Sequence, residues 1–593
     1  MSENPALDSN KIAMSMLAMA ETLRTQSPGK VKMAIKCARG ALNLNLSKET
    51  EAHCHLQYGK LLLFYTDMTE MARTEIQQAY VLMHSGGNFQ IEQRLEALSL
   101  LAELFVHTGE NQVGYICQMI RSELSASGGF DLVHHKLWFH LIELTKNQDD
   151  VPGALSLCEQ AILHCTNNKP LELYFRLTKH LIAYQKLREE PASSDIAHIG
   201  ALIKDLESDP SMEFHVKSIK GFFMCTKLAF MLTEGQSRSS KSLLRQIQQE
   251  VTKPKKDPHI TGFRWMDDVS MTVFACVTTV VSALIQCSYE RAMKYHSIAV
   301  KHADDIITKS CRFPQEFAVV RCVNQMKMAS LELMALCNVM TCRPQRTLSN
   351  VHEMIAYSIR SGGHLLFEQY APHIQYVLGL LSSYLQKDDD AERHFLAAIS
   401  MTEKSGDKNK TALLYVNLAM TYLNQLKMRE YYDVSEKLTT SKVSQCTTMV
   451  RSNVKFATAY FLYLNQKTSD CQTILHDLLV DSKAEDFFRL HGLSLLMLSL
   501  LMPVDEQVLK PTVDWTKKSY DHAVTVWSHK IYKELLEKRG EDTTEIVAEA
   551  QKALQALDLN ELTTQLNTAP AANLLQWYSG DVTKYLPKDD YTG

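Results

Sequence analysis

Alanines and bulky apolar residues recur along this chain at intervals of three, four and seven, the spacing of a helix that buries one face. In "AERHFLAAIS", residues 391–400, Ala391, Phe395 and Ala398 fall at i, i+4 and i+7, and Leu378 and Gly379 lie a helix and a turn earlier. The small-large-small order lets a preceding helix approach closely while the aromatic ring fills the gap. The same face returns as Ala72, Ile76 and Ala79, as Ala154, Cys158 and Ala161 behind Trp138 and Leu141, and as Ala292, His296 and Ala299. Its spacing is regular. From Ala72 to Gly114 is 42 residues and on to Ala154 is 40, while Ala391, Tyr431 and Cys471 are each 40 apart. Each weaker match follows a good first helix, "LEALSLLAELF" (95–105) or "ALLYVNLAMTYL" (412–423).

These observations predict an all-α fold, an α-solenoid of divergent tetratricopeptide-like helix pairs with a period of about 40. Only 22 Gly and 15 Pro in 593 residues agree with long helices joined by short loops. The expected layout is a first run of repeats over 1–252, a basic loop "KPKKDP" at 253–258, a second run over 259–510, C-terminal helices over 511–565, and an irregular tail over 566–593. A second Pro-containing interruption, "REEPASSD", lies at 188–195. The run "VFACVTTVVSALIQC" (273–287) falls short of the ~20 apolar residues a membrane span needs and reads as a buried helix. The start, "MSENPALDSNK", has no basic and apolar leader pattern.

Charge and chemistry narrow the function. With 63 Lys and Arg against 67 Asp and Glu, net −4, no global basic field is present to hold nucleic acid or an anionic membrane. The 14 cysteines include no C-x-x-C, which speaks against zinc ribbons and dithiol redox centres and for buried free thiols. Gly29-Lys30 and Gly59-Lys60 lack the upstream glycine of a phosphate-binding loop, and no nucleophile elbow, zincin helix or deaminase signature occurs. "HKLWFH" (135–140) reads as a packed helix. "QSPGK" places Ser27 in a sequence that suits a proline-directed kinase and equally a helix-ending loop. The one cluster resembling a metal site is Asp388, Asp389 and Asp390 with Glu392 and His394. In the repeat frame the three aspartates sit in the turn between paired helices and cap the second, and Asp390 and His394 flank the buried stripe. No catalytic residue, metal or cofactor is expected.

A solenoid without catalytic residues works through the surface lined by its first helices. With Gly379 as the close-packed position of its helix, Tyr376 and Leu380 face inward. The same offsets select Ser99 and Glu103, Phe139 and Glu143, Val416 and Met420, and Phe456 and Tyr460, with Leu423, Asn424 and Tyr463 one turn on. The five pairs contain no Lys or Asn of the kind that clamps a C-terminal carboxylate. An extended or helical peptide in a largely apolar channel is the better fit.

The stretches "TLRTQSPGKVKMAIKCARGAL" (22–42), "HLQYGKLL" (55–62), "MARTEIQQAYVL" (71–82), "HIQYVLGL" with "AERHFLAAISMT" (373–402), and "KAEDFFRL" (483–490) resemble the Mau-two, or Scc-four, family. The resemblance runs in order to about residue 540; residues 190–260 match poorly, and the N-terminus lacks the Ala- and Gln-rich lead of vertebrate members. It implies a non-enzymatic scaffold, the tetratricopeptide subunit of the cohesin-loading complex. Such a subunit forms a heterodimer by enclosing the extended N-terminal segment of a large HEAT-repeat partner. It further implies contact with cohesin and chromatin only through that partner, a nuclear, chromatin-associated location with a cytoplasmic pool, and no direct nucleic-acid specificity or membrane contact. The alternative is a scaffold of a lid-type proteasome or signalosome complex, which ends in a winged helix; after residue 510 the pattern is helical, with no alternating hairpin.

Overall fold

A computed structural model describes residues 5–586 except 27–28, 67, 86–90, 109–112, 127–131, 166–167, 185–192, 253–265, 267, 311–316, 362 and 504. Ser27, the basic loop at 253–258 and most of "REEPASSD" therefore lie outside the described residues. The helices are α1 (Pro5–Thr25), α2 (Val31–Ala41), α3 (Lys48–Tyr65), α4 (Thr69–His84), α5 (Ile91–Thr108), α6 (Val113–Ala126), α7 (Leu132–Asn147), α8 (Val151–His164), α9 (Lys169–Ile182), α10 (Ser193–Glu207), α11 (Glu213–Thr233), α12 (Ser237–Thr252), α13 (Asp268–Ile285) and α14 (Tyr289–Ser310). They continue as α15 (Phe317–Met340), α16 (Pro344–Ser361), α17 (Gly363–Tyr384), α18 (Asp388–Ser405), α19 (Lys408–Asn424), α20 (Met428–Ser435), α21 (Thr440–Val443), α22 (Thr448–Leu464), α23 (Thr468–Ala484), α24 (Phe488–Leu501), α25 (Glu506–Ser519), α26 (His522–Arg539), α27 (Thr544–Ala556) and α28 (Leu559–Asn567). No strand occurs among the described residues, so the hairpin that a winged helix requires is not found there.

The chain forms two compact units. One comprises Met1–Thr226, Pro254–Asp267 and Asp304–Val323; the other comprises Lys227–Lys253, Asp268–Ala303 and Asn324–Gly593. Both are built from antiparallel helix pairs. In the first, α3 packs on α4 and α7 on α8; in the second, α17 packs on α18 and α22 on α23.

The turns show why these helices pair at a fixed period. Gln386, Leu426 and Gln466 all adopt left-handed backbone (φ 57°, 57° and 58°), and they are 40 residues apart, the expected repeat length. The next residue is lysine each time, and its N–H donates back five positions: Lys387 to the Ser382 carbonyl, Lys427 to Tyr422 and Lys467 to Leu462, each at 2.9 Å. This is a Schellman closure, which satisfies carbonyls orphaned at the helix end. Cys342 and Cys287 mark the same closure in earlier pairs, with Arg343 and Ser288 as donors. A side chain other than glycine in this region costs about 1–2 kcal/mol, so packing of the pairs sustains the turns.

Close approach within a pair falls on glycine in three repeats. A Cβ on Gly379 would stand 2.6 Å from the Phe395 ring, and one on Gly492 3.2 Å from Trp515. At Gly59 it would stand 2.6 Å from Ile76 Cγ1 and press the backbone of Ile76 and Ala72. Gly59→Ala is accordingly expected to lower unfolding free energy by about 1–3 kcal/mol, as overpacking does. Gly200→Ala, in the interior of α10 with open space around the added Cβ, is expected to raise it by up to about 1 kcal/mol through helix propensity. Urea denaturation of the two variants checks both signs.

The apolar run at 273–287 forms α13, the one helix among the described residues long and apolar enough to cross a membrane. Ten of its side chains are buried, Val273, Thr279 and Val280 among them. The Thr279 hydroxyl donates to the Ala275 carbonyl and accepts from Gln248, so its polar atoms are met within the protein.

The second unit closes on itself. Its late helices return to the turns of its early ones: a Cβ on Gly235 would touch the Phe487 ring, Lys241 pairs with Asp486 at 2.7 Å, and Tyr520 donates to Glu290 at 2.6 Å. Trp515 of α25 packs on an apolar cluster of Cys287, Tyr289, Met334 and Cys337. Arg489 Nε donates to Asp521 Oδ2 at 2.7 Å. The expected tail at 566–593 is described as far as Leu586, and over that stretch it packs instead of trailing. Ala572–Gln576 and Val582–Tyr585 form 3₁₀ turns, Leu574, Leu575 and Trp577 are buried, and Gln375 of α17 donates to the Trp577 carbonyl at 2.9 Å.

Candidate partner-binding faces of the first helices

In the first unit three of the four offset-selected positions are polar and engaged by neighbouring side chains. Lys60 of α3 pairs with Glu96 of α5 at 2.7 Å. Ser99, which is buried, lies 3.1 Å from His140 Nε2, and Glu103 lies 3.7 Å from the same nitrogen. Phe139 of α7 stacks on Phe175 of α9, centroids 4.3 Å apart, and Glu143 accepts from Arg321 at 2.8 Å. The offsets thus bring Ser99, Glu103, Phe139 and Glu143 onto adjoining first helices, but three of the four sit in hydrogen-bonded or ionic networks and not in an apolar surface.

In the second unit the positions are apolar or aromatic, and burial divides them. Tyr376, Val416 and Leu423 are buried in the core between α17, α18 and α19. Leu380, Met420, Phe456, Tyr460 and Tyr463 remain half-buried, and Asn424 is exposed. Tyr460 donates to Asn424 Oδ1 at 3.3 Å, tying α22 to the end of α19. The accessible remainder is a row of thioether, aliphatic and aromatic surface with one amide, a lining suited to holding a peptide by many small contacts.

A buried polar cluster on the same helices escaped the offset rule. Glu332 of α15 lies 2.8 Å from His373 of α17 and 2.9 Å from Lys410 of α19. Burial opposes ionisation of Glu332, yet Lys410 and His373 beside it hold the carboxyl well below the usual range. Lys410 Nζ also stands 4.6 Å from the Tyr376 ring centroid. The signal in the sequence is a lone charge inside an apolar first helix, as in "MASLELMALC"; a charge there must find buried partners.

The aspartate cluster separates into unrelated roles. Lys387, not an aspartate, occupies the N-cap of α18, and no side chain caps it. Asp388, Asp389 and Asp390 form the first turn, where their charge still complements the helix dipole. The turn closes through backbone bonds to Lys387, so the aspartates are displaced one position into the helix. Asp390 accepts from Tyr578 at 2.7 Å, Asp389 is near Gln425 at 3.4 Å, and Glu392 accepts from Lys427 at 2.9 Å. His394 is fully buried. Its Nδ1 lies 2.6 Å from Gln375 Oε1 and its Nε2 3.1 Å from the Leu575 carbonyl; burial pushes its pKa down to about 4. Among the described residues no group of three or more His, Cys, Asp or Glu is placed to hold a metal ion.

Burial also shields most of the described thiols. The 13 described cysteines are free, and burial pushes Cys158 up to about 12 and Cys287 up to about 11, leaving little thiolate at neutral pH. His296 gives a titration to test. It lies 2.9 Å from the Ser330 hydroxyl, and burial pushes its pKa to about 4. The folded state then binds fewer protons than the unfolded state between pH 4 and 6.5, so stability falls as pH falls through that window. A loss of about 2 kcal/mol between pH 7.5 and 5 is expected from this group, and His296→Gln is expected to remove that share of the slope in urea titrations at the two pH values.

Comparison with known proteins follows the same lines. Residues 13–543 match the family model for the cohesin loading factor. The chain is 46% identical over 592 residues to the Maternal uncoordinated protein 2 of Caenorhabditis elegans, spanning 98% of this chain and 100% of that one. It is 23% identical over 590 residues to the MAU2 chromatid cohesion factor homolog of Aedes aegypti, spanning 96% and 92%. Among solved structures its fold is similar to Scc4, crystallised in complex with Scc2n, with a TM-score of 0.53 over 96% of this chain and 100% of that one at 9% identity. The repeat array, its period and the extent of the match together identify the chain as a member of the cohesin loading factor family.

Proposed function

We propose that this chain is the helical-repeat subunit of a cohesin loader. It holds an extended N-terminal segment of a large HEAT-repeat partner along its first helices, and the pair loads cohesin onto chromatin in the nucleus for sister-chromatid cohesion. The work is scaffolding, not catalysis. The observation that carries the reading is membership of the cohesin loading factor family over residues 13–543. Solved Scc4 is bound to Scc2n, which supports the choice of partner. Leu380, Met420, Asn424, Phe456, Tyr460 and Tyr463 are the contacts we assign, because they leave apolar and amide surface accessible along α17, α19 and α22. Ordering a disordered segment costs conformational entropy, which many such contacts offset.

The test is affinity measurement between the full chain and the N-terminal segment of the large loader subunit from the same organism. Met420→Asp and Tyr460→Asp are each expected to weaken binding by at least about tenfold, the scale of 1.4 kcal/mol, measured at a temperature where circular dichroism shows each variant folded. Absence of any complex with the unmodified chain would overturn the function. Tight binding that neither substitution affects would overturn the assigned face alone.

A further inference from the structure

The α1–α2 hairpin carries a surface that the partner-binding row does not use. Its inner face is lined by small side chains, Ala13, Ala20, Ala34, Ala38 and Ala41, all buried against the rest of the first unit. Two contacts fix the antiparallel register: Lys30 N–H donates to the Leu23 carbonyl at 2.8 Å, and Gly40 lies against the Met16 side chain. On the outer side Ile12, Met19 and Met33 are 46%, 57% and 52% exposed, and Met16 is half-buried between the helices. Lys11, Ser15, Glu21 and Thr22 are also exposed on α1, so these apolar side chains stand among polar ones.

Charge adds a direction. Lys32, Lys36 and Arg39 stand at i, i+4 and i+7 on the exposed side of α2, and α2 contains no acidic residue. Among the described residues none of the three forms an ion pair. Residues 5–42 hold six basic side chains against two acidic, net +4, in a chain whose total is −4. Three exposed apolar side chains, Ile12, Met19 and Met33, and a row of cations without ion pairs are thus carried by one hairpin.

We propose that the outer face of the α1–α2 hairpin docks an amphipathic helix of a partner protein whose apolar stripe is flanked by Asp and Glu. The apolar stripe covers Ile12, Met19 and Met33, and the carboxylates pair with Lys32, Lys36 and Arg39. This is helix-in-groove recognition with charge setting the orientation. Methionine suits such a surface because its unbranched thioether adapts to the partner's shape. Nucleic acid is a poorer occupant: its backbone meets the cations but offers nothing apolar to the three exposed side chains.

The test uses the full chain and a fluorescein-labelled synthetic 18-residue helix with Leu at i, i+3, i+4 and i+7 and Glu on both flanks. A scrambled peptide of the same composition and a peptide with Lys in place of Glu serve as controls. The acidic amphipathic peptide is expected to bind, to protect α1 and α2 from hydrogen exchange, and to weaken as salt rises. The pair of substitutions Lys32→Glu and Lys36→Glu is expected to raise Kd by at least about tenfold, as is the pair Met19→Ser and Met33→Ser. These side chains are exposed, so unchanged thermal unfolding confirms that the variants fold. The proposal is overturned if the scrambled or the Lys peptide binds equally well, or if both double variants bind like the parent. It is also overturned if phosphatidylserine vesicles or duplex DNA displace the peptide and are themselves bound through the same residues.

Discussion

Arg489→Ala is expected to lower the unfolding free energy by about 3–5 kcal/mol, the cost of stripping the partner from a buried charge. Asp521 is fully buried and faces the guanidinium at 2.7 Å; it also accepts the Val524 N–H at 3.3 Å as the N-cap of α26. Tyr289 and Tyr384 border the pair, and burial together with the Asp521 charge pushes both phenols up. Without Arg489 the carboxylate is left charged or takes up a proton, and either state weakens the joint between α24, α26 and the turns after α13 and α17. The loss is expected to depend only weakly on salt, since the Asp521 carboxylate is fully buried while the Arg489 side chain keeps 36% of its surface exposed. Urea denaturation at low and high ionic strength measures it. A change below about 1 kcal/mol, the range of surface pairs, would refute a role for the joint in holding the second unit closed. The double variant Arg489→Met, Asp521→Asn is expected to recover part of the loss, because it removes both charges.

Trp577→Ala is expected to act locally. The ring is buried, its Nε1 donates to the Gly580 carbonyl at 3.0 Å, and Phe367 lies at a centroid distance of 5.9 Å. Removing a buried Trp costs about 3–5 kcal/mol, more than a short run of 3₁₀ turns can absorb while docked. Residues 568–586 are therefore expected to open without global unfolding, exposing Gln375 and His394, both fully buried in the parent. Hydrogen exchange of the segment is expected to rise at least about a hundredfold, corresponding to roughly 2.7 kcal/mol, while exchange in α22 and α23 stays unchanged. Equal acceleration across the second unit would mean that the segment holds that unit together and is not merely docked on it.

The repeat could be read from the chain because its packing grammar is local. Gly379 and Phe395 sit in adjacent helices sixteen residues apart, and the choice of a small residue opposite a large one repeats at 40. Family resemblance was legible for the same reason, over a length the family model spans from 13 to 543. The turns were not legible. Left-handed backbone at Gln386, Leu426 and Gln466 carries no glycine to announce it, and the lysines that follow are ordinary surface residues in composition. That is why the cap of α18 is expected among Asp388, Asp389 and Asp390 and found at Lys387. Contacts distant in sequence left no trace either: Arg489 with Asp521, or Trp577 with Gln375, have no periodicity to reveal them. The inward offsets located helices correctly but not environments. At Ser99, Glu103 and Glu143 whether a position is free or engaged depends on His140 and Arg321, which lie 41, 37 and 178 residues away.

Self-closure of the second unit also sets a timetable for its birth on the ribosome. Lys241 and Asp486 are 245 residues apart, and synthesis proceeds at about 5–20 residues per second, so the second anchor emerges roughly 10–50 s after the first. Helix pairs form far sooner, within about a millisecond for local helical contacts. Trp515 follows Cys337 by 178 residues, so for roughly 9–36 s the cluster of Cys287, Tyr289, Met334 and Cys337 awaits the cover that Trp515 provides. The nascent chain thus carries a formed but uncapped apolar surface for tens of seconds, long enough to engage a chaperone or to aggregate with a neighbouring nascent chain, and a chain terminated before Trp515 would keep that surface permanently.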